Sequence, residues 1–284
     1  MVPRNTCSGK GGVFVCESLN ARRTVSDISR YGRIDAAAPA RNDAAQFTKG
    51  MEMGFNPGLL DHVTRWAVGH NLAPGMAVLD VGTSELFCAA DPPSLNRFLS
   101  HFGAEPYADD ELGNRANGGL AADLFQRAGF EYMAIDFAAF PHTLQLDLNT
   151  DPLPAERHGR YALVANSGTS EHILNQYNVF KVIHDATAPG GLMYHGVPMA
   201  GEFSHGIISY NPKFFWSLAE ANSYEIVGIW GWAAEETLPL AEDLAAQLAF
   251  NRPLVAQDAY LHVLLRRRDM APFRGLVDPA FKPG

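Results

Sequence analysis

The hydrophobic positions of this chain change between a helical period and short, unbroken apolar runs. Leu59, Leu60, Val63 and Trp66 recur on one helix face, and Pro74-Gly75 ends that helix. Further helices are predicted at 94–102, 119–128, after His172 and after Asn211. Apolar runs of strand length predict strands at 76–81, 130–136, 144–148, 161–166, 192–197, 225–230 and 259–265. Because strands and helices alternate, the pattern predicts an α/β fold with a mostly parallel sheet covered on both faces.

The same pattern divides the chain into an arm and one domain. Residues 1–46 are weakly patterned, so we expect an N-terminal arm that is partly flexible and could exchange across a homodimer. Residues 47–284 suffice for a single domain with a full core. Within that domain, residues 91–128 form an insertion after the first strand, which could act as a lid or a wall of the substrate site.

Charge and composition narrow the class of partner. The formal net charge is -9 at pH 7, which argues against nucleic acid because phosphate binding needs a concentrated basic surface. No uninterrupted apolar stretch is long enough to span a bilayer. The cysteines, Cys7, Cys16 and Cys88, are scattered and suggest neither a disulfide framework nor a zinc site. We therefore expect a cytoplasmic protein that acts on a small molecule.

Acidic side chains stand at or near the ends of the first three predicted strands. These are Asp80, Asp136 and Asp147. The carboxyl ends of parallel strands meet at one edge of a sheet, so the three acids could line one crevice. An acid at the second strand suits the two hydroxyls of a ribose, and Asp147-Leu148 suits the edge of an adenine. One such acid alone would indicate only a helix cap, but three at matching strand ends favour an adenosine-containing ligand.

A tetrapeptide, Gly-Thr-Ser-Glu, occurs twice, at 82–85 and at 168–171. Each copy follows a predicted strand. Gly82 has no side chain, so the backbone N–H groups up to Ser84 could approach a ligand closely. Because the flanking residues differ, we interpret the two copies as convergent turns and not as a duplication.

These residues resemble the class I S-adenosylmethionine-dependent methyltransferases. The resemblance covers about residues 47–267, and its motifs are Val78-Leu79-Asp80-Val81-Gly82, Ile135-Asp136, Asp147-Leu148, Tyr161 to His172 and Ala188-Pro189-Gly190-Gly191. It implies a Rossmann-like, doubly wound sheet of seven mostly parallel strands, the last of them antiparallel. It also implies S-adenosylmethionine as cofactor and S-adenosylhomocysteine as product.

The resemblance implies a set of cofactor-binding residues by position. They are Asp80, Gly82, Thr83, Ser84, Asp136, Phe137, Asp147, Leu148 and Asn166. Asp80 and Gly82 would shape the loop around the methionine part of the cofactor. Asp136 would hold the ribose, Phe137 would lie against the adenine, and Asp147 would accept from the adenine amino group. Asn166 would lie near the methyl donor.

Two departures from the family pattern keep other functions open. Ser84 and Leu86 replace the second and third glycines usual in the family, so a non-catalytic binding protein of the same fold is one alternative. An NAD(P)-dependent oxidoreductase is another. It is disfavoured, because a dinucleotide site has its acid about 20 residues after the glycine-rich turn. Here Asp136 follows much later.

Methyl transfer from a sulfonium requires a nucleophile held in line, exclusion of water and removal of a proton. Histidine titrates near neutrality, so His172, His195 and His205 are the candidate general bases, with Glu171 and Tyr210 near them in sequence. Any one of these histidines could instead have a structural role. The three histidines and Glu171 could also bind a metal, but their spacing matches no standard metal motif, so a metal site stays a minor alternative and we assign no metal ligand.

The segment at about 194–210 is dense in His, Gly and aromatic residues. Gly hinges and aromatic walls are typical of a substrate-recognition loop. A buried loop packed by its own aromatic side chains is the alternative. The sequence thus predicts methyl transfer to a hydroxyl or amine of a small molecule, without identifying that molecule.

Overall fold

The chain divides into two units, Met1–Thr48 and Lys49–Gly284. The computed structural model describes residues 54–201, 205–233, 236–239 and 259–277, all within the second unit. The predicted arm at 1–46, with Cys7 and Cys16, lies outside the described residues.

Strands and helices alternate along this unit as the hydrophobic pattern predicts. The strands are β1 Ala77–Val81, β2 Glu85–Phe87, β3 Asn117–Leu120, β4 Glu131–Asp136, β5 Thr143–Gln145, β6 Tyr161–Ser167, β7 Thr187–Ala200, β8 Glu225–Ala233, β9 Glu236–Pro239 and β10 Ala259–Arg266. The helices are α1 Pro57–His70, α2 Pro93–His101, α3 Asp109–Arg115, α4 Ala121–Arg127, α5 Gln176–Ala186 and α6 Pro212–Asn222.

Helix ends follow the capping residues in the sequence. The side chain of Asn56 accepts a hydrogen bond from the backbone N–H of Leu59 and caps α1. Asn71 ends that helix in the left-handed region, at φ 58°. Asn211 caps α6 in the same way, accepting from the N–H of Phe214, with Pro212 in the first turn. The predicted start of α6 is confirmed.

The main sheet is Rossmann-like and doubly wound. Within the described residues, its eight strands have the order β5-β4-β1-β6-β7-β10-β8-β9. The first five strands in this order are mutually parallel, and β10 runs antiparallel to both of its neighbours, β7 and β8. The predicted α/β class and antiparallel last strand are confirmed. One strand more than the predicted seven is present, because β9 adds an antiparallel edge to β8.

Alternation along the strands separates two apolar layers. On one face, Val78 packs with α1, α2 and α4, and on the other face Leu79 and Val81 pack with α5 and α6. Asp80 shares the face of Val78 and is fully buried. Because successive side chains of a strand point to opposite faces, the carboxylate of Asp80 points into the layer that contains α1, α2 and α4.

The insertion after β1 belongs to the core. Residues 91–128 contain α2, α3, β3 and α4, and Leu95, Phe98, Leu124 and Phe125 are all at most 1% exposed. The aromatic rings of Phe98 and Phe125 lie 5.1 Å apart between centroids. This stretch contains the crossover from β1 to β4 and covers one face of the sheet, instead of standing over the site as a lid.

Two predicted segments differ from the structure. The third predicted strand, 144–148, is β5, which ends at Gln145, so Asp147 lies in the loop beyond the strand. The polar stretch 105–118, where the hydrophobic pattern predicts no helix, contains α3. Helix α3 is short and contributes no buried residue, which explains why hydrophobic periodicity does not detect it. Strand β5 buries too little to mark where it ends.

None of the helices in the described part of the chain has the length and apolar composition needed to cross a membrane.

The packing of the insertion predicts its effect on stability. Phe125 is fully buried, and its ring lies 4.9 Å from that of Phe55 between centroids. Phe125→Ala should lower the free energy of unfolding in urea by about 3–5 kcal/mol, through lost burial and the cavity left behind. Phe140→Ala, at a position that is 47% exposed, is the control and should cost less than about 1 kcal/mol. A loss below about 1 kcal/mol for Phe125→Ala would contradict the core role of this stretch.

Candidate active site

A cavity of about 640 Å³ opens at the carboxyl ends of β1, β4 and β6. The strand order reverses between β1 and β6, and ligands of open α/β sheets bind outside such a switch point. The cavity is lined by Gly82, Thr83, Ser84, Glu85, Phe87, Ile135, Asp136, Phe137, Leu146, Asp147, Leu148, Asn149, Ser167, Gly168, Thr169, His172 and Ile173. The structure thus brings most of the predicted cofactor residues together with one predicted catalytic residue, His172.

The turn at 80–84 closes β1. Oδ2 of Asp80 accepts hydrogen bonds from the backbone N–H of Ser84, at 3.0 Å, and from the hydroxyl of Tyr132, at 2.6 Å. Burial raises the pKa of Asp80 to about 6. Because its side chain is enclosed in the core, Asp80 does not line the cavity. It shapes the loop from below, by holding the N–H of Ser84.

A second turn of the same design, at 166–170, closes the adjacent strand β6. Oδ1 of Asn166 accepts a hydrogen bond from the backbone N–H of Ser170, four residues on, as Asp80 does from Ser84. The glycines of the two turns, Gly82 and Gly168, have φ of 91° and 86°. The N–H of Gly82 donates to the carbonyl of Ile135 in β4, and the N–H of Gly168 donates to the carbonyl of Gly196 in β7. Each bond continues the pairing between the strand before the turn and its outer neighbour. The repeated tetrapeptide is therefore one turn built twice, on both sides of the switch point.

The two turns touch each other at Gly82. A Cβ atom on this residue would lie 2.1 Å from Oγ1 of Thr169, and the positive φ also favours glycine. Ser84 and Leu86, which replace glycines of the family pattern, have structural positions. Ser84 is held by Asp80, and Leu86 is fully buried in the core. The loop therefore bends at Gly82 without the other two glycines.

Asp136 connects the end of β4 to this loop. Its Oδ2 accepts from the N–H of Thr83 at 2.9 Å, and its Oδ1 accepts from the N–H of Ala138 at 3.0 Å. Each carboxylate oxygen has room for a further donor. Phe137, the next residue, is 79% exposed at the cavity. An acid with spare acceptor capacity beside an exposed ring suits a sugar carrying a flat base.

Asp147 also lines the cavity, from the loop after β5. Its Oδ1 accepts from the backbone N–H of Asn149 at 2.8 Å, whereas Oδ2 makes no hydrogen bond within the described residues. Leu148 is buried beside it and lines the cavity. This loop therefore offers one free carboxylate oxygen and an apolar surface.

Asn166 and His195 also stand away from the cavity. Asn166 is fully buried, donating to Oγ of Ser170 and contacting Nδ1 of His195 at 3.2 Å. Burial lowers the pKa of His195 to about 3, and its ring packs on Phe180 and Phe215. A histidine enclosed in this way does not reach a substrate in the cavity.

Tyr210 is likewise buried. Its hydroxyl donates to Oε1 of Gln176 at 2.5 Å and lies 3.0 Å from Oγ of Ser170. Burial, the largest effect, raises the pKa of Tyr210 well above its usual value, so the phenol stays protonated. His195 and Tyr210 thus form part of the layer beneath the turn at 166–170, where they support it.

The remaining candidates, Glu171, His172 and His205, form what we call the acid–histidine cluster. Oε1 of Glu171 lies 3.3 Å from Nε2 of His205 and 4.0 Å from Nε2 of His172. The side chain of Glu171 is fully buried, and burial raises its pKa. The side chain of His172 is 46% exposed and lines the cavity. Burial and the neighbouring His205 lower the pKa of His172, so its imidazole is neutral near pH 7.

Several cavity residues escape sequence reasoning. Phe87, Asn149, Thr169 and Ile173 line the cavity without being predicted there. The repeated tetrapeptide is the signal that could have found Thr169, since it marks the turn beside Gly82. Asn149 and Phe87 carry no such signal, because tertiary contacts alone place them.

The chain is similar in fold to several solved structures. One is the Burkholderia thailandensis 1,6-didemethyltoxoflavin-N1-methyltransferase with bound 1,6-didemethyltoxoflavin and S-adenosylhomocysteine, 13% identical, covering 75% of this chain and 78% of that one, with a TM-score of 0.40. Another is a SAM-dependent methyltransferase from Archaeoglobus fulgidus, 11% identical, covering 74% and 94%, with a TM-score of 0.38. A third is the [4+2]-cyclase SpnF, 13% identical, covering 75% and 81%, with a TM-score of 0.41. No family model and no curated protein matches the chain.

The buried Asp80 predicts a pH dependence of stability. Its pKa is raised in the folded protein from 3.8 to about 6, so folding binds this proton more tightly. The stability that the protonated Asp80 carboxyl contributes is therefore fully present below about pH 4. It is lost as the pH rises through 6, by an amount on the order of 3 kcal/mol. Asp80→Asn, which reproduces the residue of the second turn, cannot ionise. The variant should therefore gain stability relative to the parent protein between pH 4 and pH 7.

Urea unfolding at the two pH values measures this difference, with Asp91→Asn as a control at an exposed carboxylate. Equal changes with pH in the parent protein and in Asp80→Asn would contradict the buried, protonatable state of Asp80.

Proposed function

We propose that this protein transfers a methyl group from S-adenosylmethionine to a hydroxyl or amine of a small molecule. The observation that carries the proposal is the convergence of Asp136, Asp147 and the turn at Gly82 on one cavity at the switch point of the sheet. In an open α/β sheet this is where a nucleoside-containing ligand binds. The cavity volume of about 640 Å³ falls within the usual range for a bound small molecule.

The free acceptor positions of the cavity match the donors of an adenosyl group. Asp136 would accept from the ribose hydroxyls, because each of its oxygens has a single backbone donor. The free Oδ2 of Asp147 would accept from the adenine amino group, with Leu148 beneath the ring. Phe137 would cover the opposite face of the adenine. The methionine part would then lie along 82–84, toward the turn at 166–170.

Transfer of the methyl group needs little beyond position and proton removal. The sulfonium is the electrophile, and the acceptor must lie in line with the sulfur–methyl bond. Within the described residues, His172 is the histidine that lines the cavity, and its neutral imidazole can take a proton at neutral pH. We assign activation of the acceptor to the acid–histidine cluster. In the simplest mechanism, His172 is the general base that removes the proton.

Ligand binding tests the cofactor class directly. At a hundredfold excess over Kd, S-adenosylmethionine or S-adenosylhomocysteine should raise the free energy of unfolding by about 2.7 kcal/mol, measured by urea unfolding with and without ligand. NADH should give no change. Stabilisation by NADH alone would favour the oxidoreductase alternative. No stabilisation by either adenosyl compound would overturn the proposal.

The ribose role of Asp136 is tested by substitution. Asp136→Ala removes a charged acceptor, so the Kd of S-adenosylhomocysteine in calorimetry should rise by about ten- to a hundredfold. Asp91→Ala, an exposed acid paired with Arg97 away from the cavity, is the matched control and should leave Kd unchanged. Both variants should melt at the same temperature as the parent protein, so that a change in Kd reports the ligand contact. An unchanged Kd in Asp136→Ala would refute the ribose contact.

Activation of the acceptor is tested separately from cofactor binding. His172→Ala should keep the affinity for S-adenosylhomocysteine within about threefold, yet lower turnover of an accepted substrate by about 10²- to 10⁴-fold. Substrates can be found with a panel of small phenols and amines, by following S-adenosylhomocysteine release. His101→Ala, at an exposed residue of α2, is the control. Binding without turnover of any substrate in the parent protein would favour the non-catalytic alternative.

A further inference from the structure

The acid–histidine cluster combines two imidazoles with one buried carboxylate. One ligand atom from each of Glu171, His172 and His205 lies within 4.8 Å of the other two. Oε2 of Glu171 is buried and has no hydrogen-bond partner within the described residues. A buried carboxylate oxygen without a donor is costly. A cation bound by the Glu171 carboxylate, whose other oxygen Oε1 lies near both imidazoles, would offset that cost.

The local fold holds these three residues together. Glu171 and His172 lie in a single 3-10 turn, Ser170–His172, directly after the turn at 166–170. The loop carrying His205 is fixed to the same turn, because the N–H groups of Ile207 and Ile208 both donate to the carbonyl of Glu171, at 3.0 and 3.1 Å.

Gly206 permits this approach of the loop. A Cβ atom there would lie 2.7 Å from Cγ of Glu171. His205 is therefore held against Glu171 by backbone contacts, which do not depend on an ion pair between the two side chains.

The donor set has the chemistry of a transition-metal site. Two imidazole nitrogens and one carboxylate oxygen suit Zn²⁺ and the other first-row divalent ions, whereas Mg²⁺ and Ca²⁺ prefer oxygen ligands. Ligands bonded at about 2.1 Å to a tetrahedral ion lie about 3.4 Å apart. The separation between Glu171 and His205 is already 3.3 Å, and that between Glu171 and His172 is 4.0 Å. A small rotation of the half-exposed His172 side chain would complete the set.

We propose that Glu171, His172 and His205 bind one divalent transition-metal ion, with its open coordination position facing the cavity. The location of His172 on the cavity wall gives this direction, since Glu171 closes the opposite side. Three protein ligands with an open position are typical of catalytic metal sites. The site is not predicted by sequence spacing, because its residues come from a turn and from a distant loop.

The role of the metal rests on the proposed function. A hydroxyl or amine bound at the open position would lose its proton to solvent more readily, as metal-bound water does. The deprotonated heteroatom then forms a bond to the methyl carbon. The methyl–sulfur bond breaks, its electron pair stays on sulfur, and the sulfonium becomes a thioether. With metal bound, this activation replaces proton uptake by His172, whose nitrogen is then a ligand.

Metal binding can be measured without any substrate. The full chain, stripped with EDTA and dialysed, should bind one equivalent of Zn²⁺ in calorimetry, and Co²⁺ should give visible absorption bands of a low-coordinate nitrogen and oxygen site. His205→Asn and Glu171→Gln should each raise the Kd of Zn²⁺ at least tenfold and abolish the Co²⁺ bands. His101→Ala should bind both ions like the parent protein. Mg²⁺ should not compete at tenfold excess over Zn²⁺.

Equal Zn²⁺ affinity in His205→Asn and the parent protein would overturn the site, since the ion would then bind elsewhere. Because Glu171 is buried, Glu171→Gln could fail to fold, so His205→Asn, at a side chain that is 26% exposed, is the deciding variant. Its unfolding by urea in EDTA should match that of the parent protein.

The metal and the cofactor are distinguished by separate measurements. His205→Asn should keep the stabilisation by S-adenosylhomocysteine, so its loss of Zn²⁺ is not a failure of the cofactor site. Absence of that stabilisation in every protein, with Zn²⁺ still bound, would overturn methyl transfer but leave the metal site. Turnover that is equal in EDTA and in Zn²⁺ would overturn the activating role of the metal.

Discussion

The hydrogen bond from a backbone N–H back to an Asp or Asn side chain four residues earlier, made once by Asp80 and once by Asn166, is the constraint on which the candidate site depends. Each bond folds the chain sharply as its strand leaves the sheet. The two turns then meet at Gly82 and Thr169, at the point where the strand order reverses. Residues of both turns, among them Gly82 and Thr169, therefore line the same cavity.

The two turns differ in the residue that accepts the hydrogen bond, because Asp80 can ionise and Asn166 cannot. Both residues are buried below the cavity. Asp80 is enclosed with Tyr132 in the helical layer, where burial raises its pKa to about 6. Asn166 needs no such proton, and it links the second turn to His195 and Ser170. The polar residues below the cavity thus support its geometry, while the exposed groups around it, above all Asp136 and His172, remain available to a ligand.

Much of the fold follows from the sequence because burial imposes a period. The runs at β1, β4, β6, β7 and β10 are detected as strands, and α1 and α6 also have their caps in the sequence. The short elements β2, β3, β9 and α3 are not detected, since they bury too little to show a pattern. Among the site residues, the acid ending β4 is placed by its strand. By contrast, the strand-end position of Asp80 does not distinguish a ligand contact from a buried support.

The sequence by itself determines the order of strands and helices, the strand-end acids and the two glycine turns. Local periodicity reveals the strands and helices, and glycines that can adopt a positive φ mark the turns. Only the tertiary structure decides which polar side chains face the cavity. The side-chain period of two sends Asp80 into the core, and packing encloses His195 and Tyr210. The contact of Gly206 with Glu171 brings His205 to a carboxylate far away in sequence. Such approaches depend on loops whose paths are fixed by distant contacts, and no local pattern records them.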